Sequence, residues 1–195
     1  MPMIVEIMAE VGETLRALSA VAVTVGPGAF TGIRIGLAAA RGIGLAASIP
    51  VVGVTTFAAV AEAVSEAERA DRTLLVLLDS KRGDVFAQQF SSARLAMGSP
   101  TILAPEAMPD RLAHGSFILA GDGIAIVRRH LDAVGLGVAY AAADGPADAR
   151  WVAQLAARAI VERTGLPPTP LYLRAPEVRL SATSSETLNL TASNR

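Results

Sequence analysis

The sequence predicts an α/β fold built around a mixed β-sheet. Short apolar runs that are typical of buried strands alternate with longer segments of helical periodicity. Two of the apolar runs flank the polar turn at residues 79–84, a pattern typical of a β-hairpin. A hairpin adds an antiparallel pair to strands that are otherwise joined through helices, so we expect the sheet to be mixed.

The chain opens with a segment, residues 3–18, that is predicted to form an amphipathic helix. Glu6, Glu10 and Glu13 lie on one side of this helix, opposite a narrow apolar stripe. The stripe consists of Ile4, Ile7, Met8, Val11, Leu15 and Leu18.

Strands and helices then follow in turn. The predicted elements are a strand over 20–25, a glycine-rich turn over 26–32, a helix over 31–48, a strand over 51–54 and a helix over 56–68. Pro50 is expected to stop the second helix, because proline lacks the amide hydrogen that a helix interior needs.

The second half of the chain begins with the predicted hairpin. The predicted elements are strands over 73–78, 85–90 and 116–120, a helix over 123–133, a long helix around Trp151 and a last strand over 171–173. The polar tail, residues 181–195, is predicted to be disordered. We expect one lobe over residues 1–76 and a second over 77–180.

Composition excludes several kinds of chemistry. The chain has no cysteine, so disulfides and thiolate catalysis are impossible. Its two histidines, His114 and His130, do not have the spacing of a zinc site, and no metal is expected. The net charge of −1 gives no general attraction to nucleic acid or to a membrane surface.

Localisation is predicted to be cytoplasmic. The first ten residues have no basic start, unlike a signal peptide. Arg34, Arg41 and Pro50 interrupt the apolar stretch over 33–54, which argues against a membrane span.

The glycine-rich turn has two possible roles. Gly26, Gly28 and Gly32 allow a tight connection from strand to helix, and the backbone amides of such a turn can also face an anion. A Walker lysine is absent.

Turns also favour aspartate for backbone reasons, so Asp79 and Asp84 are interpreted as turn residues. Asp122 is interpreted as a helix cap.

The helix over 31–48 has two apolar faces. Gly36, Ala40 and Gly44 recur every four residues and would let another helix approach closely. The face with Ile35, Ala39, Ile43 and Ala46 suits contact with the sheet. Such a helix is either buried between layers or held against a partner.

Five segments together resemble one protein family. They are GPGAFTGIRIGLAAARGIGLA at 26–46, IPVVGVTTF at 49–57, LLDSKRGDVFAQQF at 77–90, LAGDG at 119–123 and PLYLRAPEV at 170–178. The chain is similar in these segments to the TsaB (YeaZ) family of tRNA threonylcarbamoyladenosine biosynthesis. The resemblance implies an actin-like (ASKHA, RNase H-like) fold of two lobes, with mixed sheets and flanking helices. Compared with the family, the first lobe is missing its initial strands.

The resemblance also implies a non-catalytic scaffold without a cofactor. Such a subunit supports the catalytic subunit TsaD, together with the ATPase TsaE, in modifying the adenosine next to the anticodon. It forms a homodimer when alone and contacts tRNA indirectly or weakly. The alternative is an enzyme: an actin-like phosphotransferase or hydrolase that binds a nucleotide, or a glycoprotease-like protein.

The family's functional positions fall on the first two helices and the glycine-rich turn. The implied partner interface comprises Ile4, Ile7, Met8, Val11, Ile33, Leu37, Ala40 and Gly44. The implied motif loop comprises Gly26, Pro27, Gly28, Phe30, Thr31, Gly32 and Arg34. The choice of helix faces is our inference from spacing.

Overall fold

Strands and helices alternate along most of the chain in the computed structural model, which describes residues 2–174. The helices are α1 Pro2–Glu10, α2 Phe30–Ala47, α3 Thr56–Ala63, α4 Glu66–Arg69, α5 Met108–Leu112, α6 Ile124–Ala133 and α7 Ala149–Glu162. The strands are β1 Val21–Gly26, β2 Val51–Thr55, β3 Thr73–Asp79, β4 Val85–Phe90, β5 Ala96–Leu103, β6 Phe117–Ala120 and β7 Ala139–Tyr140. Short 3-10 turns lie at Leu15–Ala17 and Pro105–Ala107.

The strands form two sheets. Strands β1 and β2 pair in parallel, and five strands form a second sheet in the order β5-β4-β3-β6-β7. In the second sheet β4 is antiparallel to both β3 and β5, whereas β6 is parallel to β3 and β7. The sheet is therefore mixed, and the predicted hairpin is confirmed.

The two-stranded sheet lies between helices. On one face Val23 and Val25 pack against Leu37 of α2, and on the other Val52 and Val54 pack against Val152 of α7. Alternate residues of a strand point to opposite faces, so each strand can place side chains against the helices on both sides of the sheet. Burying a side chain such as Leu37 stabilises the fold by about 1.5–3 kcal/mol.

Strand β3 lies at the centre of the larger sheet and is buried on both faces. Leu74 and Val76 pack into a cluster with Phe57 of α3, whereas Leu75 and Leu77 pack into a cluster beneath α5 and α6. Burial on both faces explains why this strand is continuously apolar instead of alternating. Because β3 crosses the predicted boundary at residues 76 and 77 and pairs entirely within this sheet, the division into two lobes stays a prediction.

The first helix is shorter than predicted. It ends at Glu10, and Gly12 follows with a φ of +69°. The Gly12 amide donates to the Ala9 carbonyl and the Glu13 amide donates to the Met8 carbonyl. These two bonds form a Schellman motif, which ends a helix at a glycine in the left-handed conformation.

The predicted helix over 56–68 is also interrupted. Val64 is extended, and Ser65 and Glu68 then form a capping box that starts α4. Helical periodicity alone did not reveal this new start, although Ser65 and Glu68 have the spacing of the motif.

Two other predictions differ from the structure. Strand β5 was not predicted, because its sequence AMGSPTIL contains glycine and proline and is mostly exposed. The segment predicted as a last strand, residues 171–173, runs beside β1 without forming one. The predicted disordered tail lies outside the described residues.

Helix α2 satisfies the length and composition of a membrane span, the one helix within residues 2–174 that does so. It nevertheless carries Arg34 and Arg41, and it packs along β1 through Leu37. The core helix of a folded domain satisfies the same criteria.

Candidate functional site

Helix α1 presents an apolar surface that the other residues of the described range, 2–174, leave exposed. None of its nine residues is buried. We define the α1 surface as Met3, Ile7 and Val11, which are exposed and, at spacings of four residues, project from the same side. Of the residues predicted for a partner interface here, Ile7 is 51% and Val11 62% exposed. Ile4 and Met8, the other two, are half-buried. An exposed apolar patch of this kind is typical of an interaction site.

The residues of α2 that were predicted for the partner interface are not exposed on its surface. Ile33, Leu37, Ala40 and Gly44 are buried, and they face the chain's own sheet. Gly44 shows the physical reason, because an added Cβ would overlap Val51 Cγ2 of β2 and lie 3.0 Å from the Ile49 carbonyl oxygen. Small residues allow a strand to approach as closely as they allow a second helix, so spacing could not tell these partners apart.

The outward side of α2 carries residues that were predicted to face the sheet. Ile35 is 64% exposed and Ala46 is exposed, although Ile43 of the same predicted face is buried. Leu45 is 84% exposed. The outward side of α2 is therefore apolar at Ile35 and Leu45, next to the charges of Arg34 and Arg41.

The motif loop connects β1 to α2. Gly26 has a φ of +113°, which L side chains rarely adopt, and an added Cβ would lie 2.9 Å from the Leu171 carbonyl oxygen. A cis peptide bond joins Gly26 to Pro27. Gly28, Thr31 and Gly32 are exposed. The glycine at position 26 is therefore required by the backbone conformation and by a close approach of the chain's C-terminal segment.

That segment is the second part of the site. We call residues 166–174 the C-terminal strap. The Leu171 amide donates to the Val25 carbonyl at 2.7 Å. Tyr172 stacks on Phe30 with ring centroids 5.4 Å apart, and its hydroxyl accepts a hydrogen bond from Arg34 Nε at 2.9 Å. The Arg34 guanidinium also lies 3.8 Å from the Phe30 ring centroid, a cation–π contact.

A cleft of about 440 Å³ separates the motif loop from the β3–β4 hairpin. Its lining comes from the motif loop (Pro27, Gly28, Ala29, Phe30), the hairpin (Ser80, Lys81, Arg82, Phe86) and the strap (Leu171, Tyr172, Leu173, Arg174). The structure thus brings together three of the segments that carried the family resemblance, although they are far apart in sequence.

Salt bridges organise the hairpin turn at this cleft. Lys81 Nζ lies 2.7 Å from Asp79 Oδ2, and the hydrogen bond to Asp79 raises the pKa of the Lys81 ammonium. Burial raises the pKa of the Asp79 carboxyl, but the hydrogen bonds from Lys81 outweigh it and the pKa lies below its usual value. The turn interpretation of Asp79 agrees with the 2.6 Å bond from the Lys81 amide to Asp79 Oδ1.

Asp84 joins the hairpin to the strap. Ser80 donates a hydrogen bond to its carboxylate, and Arg174 forms an ion pair with it. Burial raises the pKa of the Asp84 carboxyl, and the bonds from Ser80 and Arg174 lower it by more, so the pKa is below its usual value. The Asp84 carboxylate therefore stays charged while it is held by Arg174.

Asp122 does not cap α6 as predicted. The N-cap of α6 is Gly123, and no side chain caps it. Asp122 Oδ1 instead accepts a hydrogen bond from the Asp79 amide at 2.9 Å, which ties the end of β3 to the turn before α6. The Asp79 amide at the end of β3 binds the Asp122 carboxylate in place of the helix amides. Only the tertiary structure brings these two groups together.

The two histidines lie in different elements. His114 is exposed after α5, and His130 on α6 lies 3.8 Å from Glu106 Oε1. Among residues 2–174 no group of three or more histidine, aspartate or glutamate side chains has the arrangement of a metal site. Tyr172 and Arg174 were not predicted to have a role, and their membership of the PLYLRAPEV segment was the available signal.

Comparison with known proteins gives consistent results. The family model described as TsaD, tRNA N6-adenosine threonylcarbamoyltransferase, matches residues 1–129. The tRNA threonylcarbamoyladenosine biosynthesis protein TsaB of Escherichia coli is 31% identical over 129 residues, which are 63% of this chain and 55% of that protein. The TsaB protein of Buchnera aphidicola subsp. Schizaphis graminum is 29% identical over 135 residues, 66% of this chain and 64% of that protein. The chain thus spans little more than half of the length of these relatives.

A solved structure supports the fold. A Pseudomonas aeruginosa protein with similarity to peptidase YEAZ superposes with a TM-score of 0.72 at 28% identity, covering 89% of this chain and 82% of that one. This likeness confirms the predicted fold class, an α/β fold of the actin-like type.

Proposed function

The chain belongs to the TsaB (YeaZ) family, and from that premise we propose that it is an accessory subunit in the threonylcarbamoylation of tRNA. In this role it carries no chemistry of its own. It binds and supports a TsaD-type catalytic subunit, with TsaE as a further component, and it contacts tRNA through that assembly.

The observation that carries the proposal is the α1 surface. A nine-residue helix with no fully buried residue is only weakly stabilised by the fold behind it, and short isolated helices are marginal in water. The apolar side chains of this helix therefore favour a surface that a partner covers. Ile7 is about half exposed, so covering the rest of its side chain contributes roughly 1 kcal/mol to association.

The family name favours TsaD as that partner. The matching model is described by the transferase activity, whereas the curated relatives are named TsaB. A chain that resembles the catalytic subunit in fold and also forms a complex with it would match the TsaD model and still be related to proteins named TsaB. When TsaD is absent, the same surface covers itself in a homodimer, because an apolar patch left open to water favours self-association.

The test measures binding of the purified chain to the TsaD of the same organism. Ile7→Arg places a charge in the middle of the α1 surface and is expected to weaken binding at least about 10-fold, from loss of apolar burial and desolvation of the arginine. The fold should survive, because Ile7 is exposed.

Val161→Arg is the matched control. Val161 is an exposed valine on α7, 84% accessible, so it introduces the same charge at another apolar surface position. Equal affinity of the Ile7→Arg variant and the wild type would remove α1 as the interface. Equal loss in both variants would show a general charge effect instead of a docking surface.

A further inference from the structure

We propose that the C-terminal strap is a latch that fastens the two-stranded sheet to the β3–β4 hairpin and so sets the width of the cleft between them. The proposal concerns residues inside the chain and does not depend on the identity of any partner.

The first part of the strap is seated on the two-stranded sheet. The Gly53 amide of β2 donates to the Leu166 carbonyl at 2.8 Å, and the Leu171 amide donates to the Val25 carbonyl of β1. The strap thus contacts both strands. Two glycines leave room for it, because a Cβ on Gly53 would lie 2.7 Å from the Pro167 carbonyl oxygen and one on Gly26 would crowd Leu171.

Two arginines of α2 hold the strap from the side. Arg41 donates to the Pro168 carbonyl and Arg34 donates to the Tyr172 hydroxyl. These arginines are seven residues apart, which is close to two helical turns, so they project from the same side of α2. Phe30 and Arg34, in the first turns of α2, therefore form a seat for Tyr172, and this is the structural role of the FTGIR string in this chain.

The last part of the strap crosses to the other sheet. Leu171 packs against the cluster of the two-stranded sheet, whereas Leu173, two residues later, packs against the cluster that contains Phe57 and Phe86. Arg174 then pairs with Asp84 at the end of the hairpin turn. Successive leucines of the strap thus belong to different cores.

The two attachments differ in strength. The seat combines backbone hydrogen bonds, an aromatic stack and two arginines, whereas the crossing depends on one leucine and one ion pair whose side chains remain about a quarter exposed. The crossing has fewer contacts than the seat, so it is the end that detaches first. The sheets are also joined by α3, whose Phe57 and Ala59 pack into different clusters. No residue of α3 lines the cleft, so α3 is a second connection between the sheets that lies outside the cleft.

The test measures the distance between the sheets directly. Because the chain has no cysteine, two introduced cysteines carry spin labels without background. Ala46→Cys on α2 and Thr101→Cys on β5 are both exposed and lie outside the strap and the cleft. Pulsed electron paramagnetic resonance on the full chain then reports the separation and its spread.

The expected result is one narrow distance distribution for the doubly labelled protein. Arg174→Ala and Asp84→Ala should each broaden it and lengthen its mean. The variant with both substitutions should change it no further than the more strongly affected of the two, because the substitutions remove one shared contact. Arg174→Gln, which keeps most of the side chain, should give the same broadening if the ion pair is what matters.

Arg150→Ala is the matched control, because Arg150 forms an exposed ion pair with Asp148 away from the cleft. Its distribution should equal that of the parent. Circular dichroism confirms that each variant is folded. The latch is overturned if Arg174→Ala and Asp84→Ala, both folded, keep the parental distribution, or if Arg150→Ala broadens it equally.

Discussion

Helices α1 and α2 are both rich in apolar residues and both were predicted to meet a partner, yet the fold uses them in opposite ways. Helix α2 buries Leu37 and Ala40 against β1, whereas α1 buries none of its residues. The comparison shows that apolar content indicates that a surface will be covered, without indicating by what. Substitutions that distinguish the two helices test this directly.

The largest effect is expected from Ala40→Arg in α2. Ala40 is buried in the cluster with Val23 and Val25, so the substitution forces a charged side chain into a core without a partner. Such burial costs several kcal/mol, about the whole stability of a domain of this size. We expect loss of the cooperative thermal transition in circular dichroism.

The corresponding change in α1, Ile7→Arg, should leave that transition in place because the new side chain remains in water. The contrast between the helices would be wrong if the Ala40→Arg variant had the same midpoint of thermal unfolding as the wild type. That outcome would mean that α2 is as uncovered by the chain as α1.

A smaller effect is expected from truncation. Leu37→Ala should lower the free energy of unfolding by about 2–5 kcal/mol, because it leaves a cavity beside β1. Ile7→Ala should change it by less than about 0.5 kcal/mol, the range of ordinary surface substitutions. Urea denaturation of the isolated chain measures both changes. Similar losses in the two variants would contradict the conclusion that α2 packs in the core and α1 does not.

The smallest effect is expected at the ends of the helices. Both end at a left-handed residue, Ser48 after α2 with a φ of 55° and Gly12 after α1 with a φ of 69°. Ser48→Gly should raise the free energy of unfolding by about 1 kcal/mol, because glycine adopts this conformation without steric cost.

Gly12→Ala has the opposite effect at the end of α1, because alanine is strained at a φ of +69°. Because α1 is not coupled to the core, this change should increase hydrogen exchange of the α1 amides while the global unfolding midpoint stays constant. A fall in the midpoint equal in size to the gain from Ser48→Gly would show that α1 is part of the cooperative unit.

Local patterns predicted most of the elements correctly. The continuous apolar run of β3 and the polar turn after it gave the hairpin, and the helix over 31–48 matches α2 within one residue at each end. Some predictions failed because the deciding contact lies far away in sequence, as with the Asp79 amide that donates to the Asp122 carboxylate 43 positions away. Others failed over a short range, because Val51 fills the space beside Gly44 and because local motifs at Gly12 and Ser65 end α1 and start α4.

The candidate site shows the same division. The resemblance pointed to the motif loop and to the strap segment as separate strings. Their contact, in which Tyr172 stacks on Phe30 and accepts a hydrogen bond from Arg34, joins residues more than 130 positions apart. No periodicity within either string contains that information.

The sequence by itself determined the order of most strands and helices, the absence of thiol chemistry and the presence of two apolar helices near the start. These properties depend on side-chain type and short-range spacing, which the chain carries at every point. Only the tertiary structure decided which helix is buried, where the strap crosses between the sheets and which carboxylate meets which donor. Those outcomes depend on long-range packing, because a buried apolar face or a strand end is satisfied by whatever group the whole fold brings within reach.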